Sequence, residues 1–382
     1  MKNRGLYIHI PFCAKKCKYC DFTSFVESKV SIDTYLSYLE KEFEIYEENG
    51  LLDDIKTIFI GGGTPSILSY EQLKKLFSII NDKVDLSRIL EYTIETNPGS
   101  LTRDKLELMK SCGIDRISIG LQTSQEHLLK FLGRIHSYED FLESYNLAKS
   151  LGFENINIDL IFAFQGQSLE DWKDTLTRVV SLSPDHISAY SLIIEEGTKF
   201  YNMYEEGSLL EYDEDDYIQM YRYTIDYLSK NNYVQYEISN FARQGKECRH
   251  NLIYWDDGEY YGIGLGASGY INSSRYTNYK DFDQYYKNLD QGKRPVEFEE
   301  KITAKERINE LLILGLRKIG GISKSDYLDR LKIINQDKYL ENLGIIDAYI
   351  KSGHIIANDD KLRLSQSGLE ISDTISLDLL LE

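Results

Sequence analysis

HIPFCAKKCKYCDF, His9 to Phe22, gathers three of the chain's five cysteines, Cys13, Cys17 and Cys20, on one short loop. Thiolates at C-x3-C-x2-C spacing bind zinc or an iron–sulfur cluster. A structural zinc site takes a fourth close ligand, usually from a second paired motif, but Cys112 and Cys248 stand alone. His9 alternates with apolar residues in LYIHI (6–10), which reads as a packed strand residue and not a ligand. A three-thiolate site leaves one metal position open, and open positions take substrates or cofactors.

Outward from this loop, strand and helix signals alternate. LYIHI (6–10), KTIFI (56–60), LEYTIE (90–95), DRISI (115–119), ENINIDL (154–160) and HISAY (186–190) read as strands. Helical spacing predicts helices over 33–49, 70–80, 103–111, 138–150 and 169–181, the fourth opened by a capping-box pair, Ser137 and Asp140. Six βα-type units imply an α/β fold with parallel strands. Six strands are fewer than the eight of a closed barrel, so the expected architecture is an open, partial (β/α)6 barrel, with a doubly wound sheet as the alternative. The cysteine loop, Gly61-Gly62-Gly63, Glu95, Gln122 and Asp159 all fall just after strands, where parallel α/β folds carry their active rim.

The barrel should occupy 1–195. Residues 196–300 show no regular pattern and read as an irregular α+β extension. Residues 301–382 open with a Thr303/Glu306 capping box and close with a hairpin-like IIANDDKLRLS (355–365), which suggests a winged-helix-like α+β module. Such modules often bind DNA, but a formal charge of −18, with 44 basic against 62 acidic residues, argues against a nucleic-acid partner. No apolar run approaches the roughly 20 residues of a membrane span, and MKNRGLYIHIPF lacks a signal-peptide core, so a cytoplasmic location is expected. Thiols stay reduced there, which favours metal or redox chemistry over disulfides.

The pattern C-x3-C-x-aromatic-C after the first strand resembles the radical S-adenosylmethionine (SAM) superfamily. YIHIPFC…CDF, IFIGGGTPS, TIETNP, RISIGLQT, LGRIHS, NIDLIF and FARQGKECRHNLIYW narrow the resemblance to the HemN/HemW group, in order from residue 6 to about 270. That group comprises oxygen-independent coproporphyrinogen III oxidases and related haem chaperones. The resemblance implies that Cys13, Cys17 and Cys20 hold a [4Fe–4S] cluster whose fourth iron is chelated by SAM. The missing ligand is then the cofactor, and one electron from the cluster cleaves the sulfonium to a 5′-deoxyadenosyl radical.

By the same resemblance Tyr7, Tyr19, Gly62, Gly63, Thr64, Glu95, Gln122, Arg134 and Asp159 contact SAM. Carboxylates can accept from ribose hydroxyls, and Arg134 offers a planar fork to a carboxylate. Taken singly, each reads equally as a turn, core, surface or capping residue. Gln165, in FAFQGQS, stands where the group usually has proline. HNLIYW (250–255) matches a haem-associated HNxxYW signature, which makes His250 the candidate haem ligand and Cys248 its alternative. GLGASG (264–269) has dinucleotide-fingerprint spacing but follows no first βα turn and is not read as one. Only twelve residues precede Cys13, and no further cysteine follows Cys20 closely. Both features favour the chaperone side, with haem, acceptor haemoproteins (respiratory membrane enzymes among them) and a reductant for the cluster as partners. Oxidative decarboxylation of coproporphyrinogen III is the enzymatic alternative, and a zinc-stabilised α/β protein the third reading.

Overall fold

The structure, a computed structural model, describes residues 4–26 and 30–381. Its first half alternates β1 (Arg4–Ile10), α1 (Ile32–Glu48), β2 (Ile55–Gly62), α2 (Tyr70–Lys83), β3 (Glu91–Thr96), α3 (Arg103–Ser111) and β4 (Arg116–Gln122). There follow α4 (Glu126–Leu132), α5 (Tyr138–Ser150), β5 (Ile156–Phe162), α6 (Leu169–Ser181) and β6 (His186–Ser191). The helices begin where the side chains cap them. Ser69 with Gln72, Ser137 with Asp140 and Ser168 with Asp171 form capping boxes on α2, α5 and α6. The short α4 escaped the sequence pattern. It ends at Gly133 in the left-handed conformation, which sets Arg134 beside the strand ends.

β1 to β6 are parallel and lie side by side in chain order. A doubly wound sheet reverses direction at a switch point. This one does not, and β1 and β6 do not pair, so the fold is the open, partial (β/α)6 barrel. The two strand faces agree. Leu6, Ile8, Ile58, Ile60, Ile94, Ile117, Ile119, Ile158, Leu160 and Ile187 pack outward against helix residues such as Leu36, Phe43, Phe77, Phe141 and Trp172. The alternate residues face inward and are mostly polar: Tyr7, Thr57, Thr93, Glu95, Arg116, Ser118, Asn157, Asp159 and Ser188.

The stretch read as irregular extends this sheet at both edges. After α7 (Lys199–Glu205) and α8 (Glu214–Lys230), β8 (Asn240–Ala242) adds antiparallel to β6, and β7 (Val234–Glu237) adds antiparallel to β8. After α9 (Arg249–Trp255), β9 (Tyr260–Ile263) pairs parallel to β1. β10 (Ser268–Ile271), β11 (Ser274–Asn278), α10 (Phe282–Asp290) and β12 (Val296–Lys301) complete a twelve-stranded sheet.

Residues beyond 301 form α11 (Ala304–Gly315), β13 (Ile322–Ser323), α12 (Lys324–Ile334), α13 (Gln336–Lys351), β14 (Ile355–Asn358) and β15 (Lys361–Leu364), then two short helices. Three helices with a sheet of order β13-β15-β14 make the winged-helix-like arrangement, opened by the Thr303/Glu306 capping box. Arg222 grips Glu370 at 2.6 and 2.7 Å, and the Ile319 amide donates to the Tyr236 carbonyl at 3.1 Å, so the module is docked on the sheet extension. No helix among the described residues is long and apolar enough to cross a membrane.

Candidate functional site

A cavity of about 450 Å³ opens at the carboxyl ends of β1 to β6. Cys13, Cys17, Cys20, Tyr19, Gly62, Gly63, Thr64, Glu95, Gln122, Arg134 and Asp159 all line it. Eleven of the thirteen residues singled out from the sequence therefore share one space, and Tyr7 and His250 do not.

The loop that carries the cysteines is pinned by backbone. The Cys13 amide donates to the Phe25 carbonyl (3.0 Å) and the Lys18 amide to the Leu132 carbonyl (3.0 Å). Gly63 and Thr64 donate to the carbonyls of Ile10 and Phe12 at 2.8 and 2.7 Å. Gly62 has φ +109°, and a Cβ there would stand 2.4 Å from the His9 ring, while one on Gly63 would stand 2.5 Å from the Phe12 carbonyl oxygen. Only glycine lets these two strand ends approach so closely.

A polar chain crosses the mouth. The Arg134 guanidinium donates to Asn97 Oδ1 (2.5 Å), to the Gly120 carbonyl (2.7 Å) and towards Cys17 Sγ (3.5 Å). Asn97 Nδ2 donates to Thr64 Oγ1 at 2.9 Å, and Thr64 faces Cys13 Sγ at 3.7 Å. Gln122 turns into the cavity because the backbone bulges at Gly120/Gln122 and gives it φ +73°. Glu95 accepts from the Gly62 amide at 3.1 Å. Burial, then the nearby Asp159 charge, push its carboxyl up to about 8 against that hydrogen bond. Asp159 accepts from Ser118 and Asn157, both at 2.7 Å, yet burial still raises it.

Glu95, Asp159 and Tyr190 are shared with a second, inner chamber of about 200 Å³, where Tyr7 and His250 lie. The Tyr7 hydroxyl is 2.9 Å from His9 Nδ1, and His9 Nε2 is 2.7 Å from the Thr23 carbonyl. That carbonyl can only accept, so Nε2 carries the hydrogen and Nδ1 receives the Tyr7 proton. Both nitrogens of His9 are spent on bracing the loop, and burial lowers its pKa to about 4.

His250 needs a correction as the haem-ligand candidate. It is 1% exposed, with Nδ1 2.8 Å from Thr57 Oγ1 and Nε2 2.8 Å from the Tyr254 hydroxyl. As folded it offers iron no free nitrogen. Cys248, its alternative, is buried too, donates to Glu91 at 3.4 Å, and burial pushes its thiol up to about 12. The HNLIYW segment is instead helix α9, packed at the amino-terminal ends of the strands. The Glu91 carboxylate caps it, accepting from the amides of Arg249 (2.9 Å) and His250 (3.0 Å).

Sequence reasoning missed Asn97, Arg116, Ser118, Asn157, Ser188 and Tyr190. The signal existed: parallel strands covered on both faces read as continuous apolar runs, whereas these strands alternate apolar and polar residues. Gly264 and Gly266 pack behind the cysteine loop, where a Cβ would stand 2.7 Å from the His9 carbonyl oxygen and 2.9 Å from Thr23 Oγ1.

A partial barrel with a three-cysteine loop after its first strand and a polar rim around it defines a radical SAM protein. The model of the Radical SAM superfamily matches residues 7–179. Among solved structures, the chain is similar to coproporphyrinogen III oxidase (HemN) from Escherichia coli, with a TM-score of 0.84 at 23% identity over 99% of this chain and 90% of that one. Among curated proteins it is 37% identical to a heme chaperone HemW of Lactococcus lactis, over 100% of this chain and 98% of that one. It is 40% identical to a heme chaperone HemW of Bacillus subtilis, over 86% of both chains. The chain belongs to the HemW family.

Proposed function

We propose that the chain is a haem chaperone that binds a [4Fe–4S] cluster, SAM and haem and delivers haem to acceptor haemoproteins, those of respiratory membranes included. The observation that carries this reading is full-length likeness to a protein named as a heme chaperone, at 37% identity. The shared fold of the decarboxylating oxidase, at 23% identity, does not by itself carry that enzyme's activity.

The donor set fits the cluster. Cys13, Cys17 and Cys20 face one cavity, and a four-iron cluster takes three such thiolates on separate irons. When bound, the cluster supplies one-electron chemistry, drawing on a cellular reductant. The residues around it fit SAM. Gly62 and Gly63 expose backbone at the closest approach. Glu95 and Asp159 suit hydroxyl or ammonium groups, and Arg134 suits a carboxylate. Tyr19 gives the aromatic surface against the adenosyl group.

The rim suits an apolar macrocycle. Phe22 and Ile193 line the cavity while 59% and 66% exposed. An adjoining cleft of about 400 Å³ continues the apolar surface through Phe164, Leu192, Leu209 and Leu210. We place the protein in the cytoplasm.

An anaerobic haem titration of the cluster-reconstituted protein, followed by absorbance, tests the reading. Saturation near one equivalent, weakened in Ile193→Asp, supports it. Absence of saturable binding, with turnover of coproporphyrinogen III instead, replaces it with the oxidase. Iron and sulfide analysis decides separately between the cluster and zinc.

A further inference from the structure

The inner chamber contains a charge that nothing in the fold neutralises by contact. Arg116 opens β4, lines the chamber and is 2% exposed. One of its terminal nitrogens donates to Asn155 Oδ1 at 2.9 Å, but its Nε is buried with no hydrogen-bond partner. Among the described residues no carboxylate oxygen comes within ion-pair distance of it. The two nearest in influence are committed elsewhere. Glu91 caps helix α9 through both oxygens, and Asp159 takes Ser118 and Asn157. A buried guanidinium without a contacting anion is costly, and its fork geometry matches a carboxylate.

The rest of the wall is polar and held in place. Asn157 donates to Ser118 Oγ (2.7 Å) and Asp159, and accepts from Ser188 (3.1 Å) and from His186 Nδ1 (2.6 Å). Such a network keeps the wall rigid around Arg116. At about 200 Å³ the chamber has room for about seven waters, and lies below the roughly 300–1,000 Å³ of drug-sized pockets. A tetrapyrrole ring does not fit; an acid of amino-acid size does.

We propose that this chamber is a binding site for a small carboxylate group, held by Arg116 beneath the cluster cavity. The shared walls at Glu95, Asp159 and Tyr190 make the cluster cavity its entrance. The site stands independently of the haem reading. Its carboxylate is either that of a free short-chain acid or the propionate arm of a tetrapyrrole whose ring stays in the mouth.

The test uses the cluster-loaded protein without SAM, so that the entrance stays open, and takes the binding that survives Arg134→Gln as that of the chamber. Propionate is the probe, propionamide its neutral control, and ligand-observed NMR the readout. The expected result is saturable propionate binding, at least tenfold stronger than that of propionamide. It should weaken at least tenfold in Arg116→Gln, with SAM binding kept. Ser188→Leu, which fills the chamber and leaves Arg116 in place, should also lose it, and it serves where Arg116→Gln does not fold. Equal binding of propionate and propionamide, no saturation, or binding indifferent to both variants overturns the proposal. Displacement of propionate by haem assigns the carboxylate to a propionate arm, and lack of displacement assigns it to a free acid.

Discussion

Glu95→Gln should change how stability depends on pH in the protein free of cluster and SAM. The Glu95 carboxyl is pushed from its ordinary 4.5 up to about 8, first by burial and then by the Asp159 charge. The folded state therefore holds this proton more tightly than the unfolded chain does. The sign follows: the group costs nothing below about pH 4.5, and stability is lost as pH rises from there through about 8. At ~1.4 kcal/mol per pH unit the full gap sets a ceiling of ~5 kcal/mol. Glu95 faces an open cavity whose water screens it, so about 2 kcal/mol is expected.

Glutamine keeps the acceptor for the Gly62 amide at 3.1 Å and removes only the ionisation. The assay is urea unfolding of wild type and Glu95→Gln at several pH values between 5 and 9. The difference between the two cancels the titrating groups not coupled to Glu95, including Glu42, which burial raises to about 7, and leaves Glu95 with the Asp159 charge it is coupled to. The variant should gain on wild type as pH rises to about 8 and level off above it. Parallel curves would show that the carboxyl ionises at its ordinary pKa and that the cavity is wetter than its geometry implies.

Serine at Cys13, Cys17 and Cys20 together should abolish iron and sulfide uptake while leaving the circular dichroism spectrum unchanged, because serine keeps an acceptor for Arg134 at position 17 and for Thr64 at position 13. Gly63→Ala should cost about 1–3 kcal/mol in unfolding experiments, since its Cβ meets the backbone oxygens of Phe12 and Ile10 at 2.5 and 2.9 Å, which cannot move aside cheaply. Gly344→Ala is the opposite case. It lies inside α13 with no atom within 4 Å of the added Cβ, and should stabilise by roughly 0.5–1 kcal/mol. Glu91→Ala should cost about 2–3 kcal/mol, because two buried amides at the start of α9 lose their acceptor.

The six βα units and the cysteine loop were legible because they are local. Period-2 and period-3.6 patterns and capping residues at Ser137 and Thr303 are written within a few residues of one another. The sheet's outer strands were not. β7 to β12 are three to six residues long and draw their hydrogen bonds from partners as distant as β1, so no local pattern announces them. The rim residues were legible one by one from position after a strand, but their assembly was not. Arg134 reaches Asn97 and Gly120 only because Gly133 ends α4 in the left-handed conformation. Tyr7 was assigned to the cofactor, yet it points to His9 and the inner chamber, a distinction that strand alternation alone cannot make.

The placement of HNLIYW changes what mutagenesis of that motif can mean. His250 bridges Thr57 on β2 to Tyr254 one helical turn on, and its ring stacks on Phe59 at 5.2 Å. Tyr254 in turn packs edge-on to Tyr260 at 4.6 Å, and Trp255 lies under the Arg317 guanidinium of the C-terminal module at 5.1 Å. The motif thus joins the barrel's interior to the module. His250→Ala removes partners from two buried hydroxyls and leaves a cavity, at a cost of about 2–4 kcal/mol. Loss of haem binding in that variant is therefore evidence for a ligand only if stability is intact. A variant at Ile193, at the exposed mouth, separates the two causes. If His250→Ala binds haem normally at a temperature where it is fully folded, while Ile193→Asp does not, haem sits at the mouth and α9 is a brace. If the folded His250→Ala loses haem and Ile193→Asp keeps it, α9 must open in solution, and the closed geometry at Thr57 and Tyr254 is only one of its states.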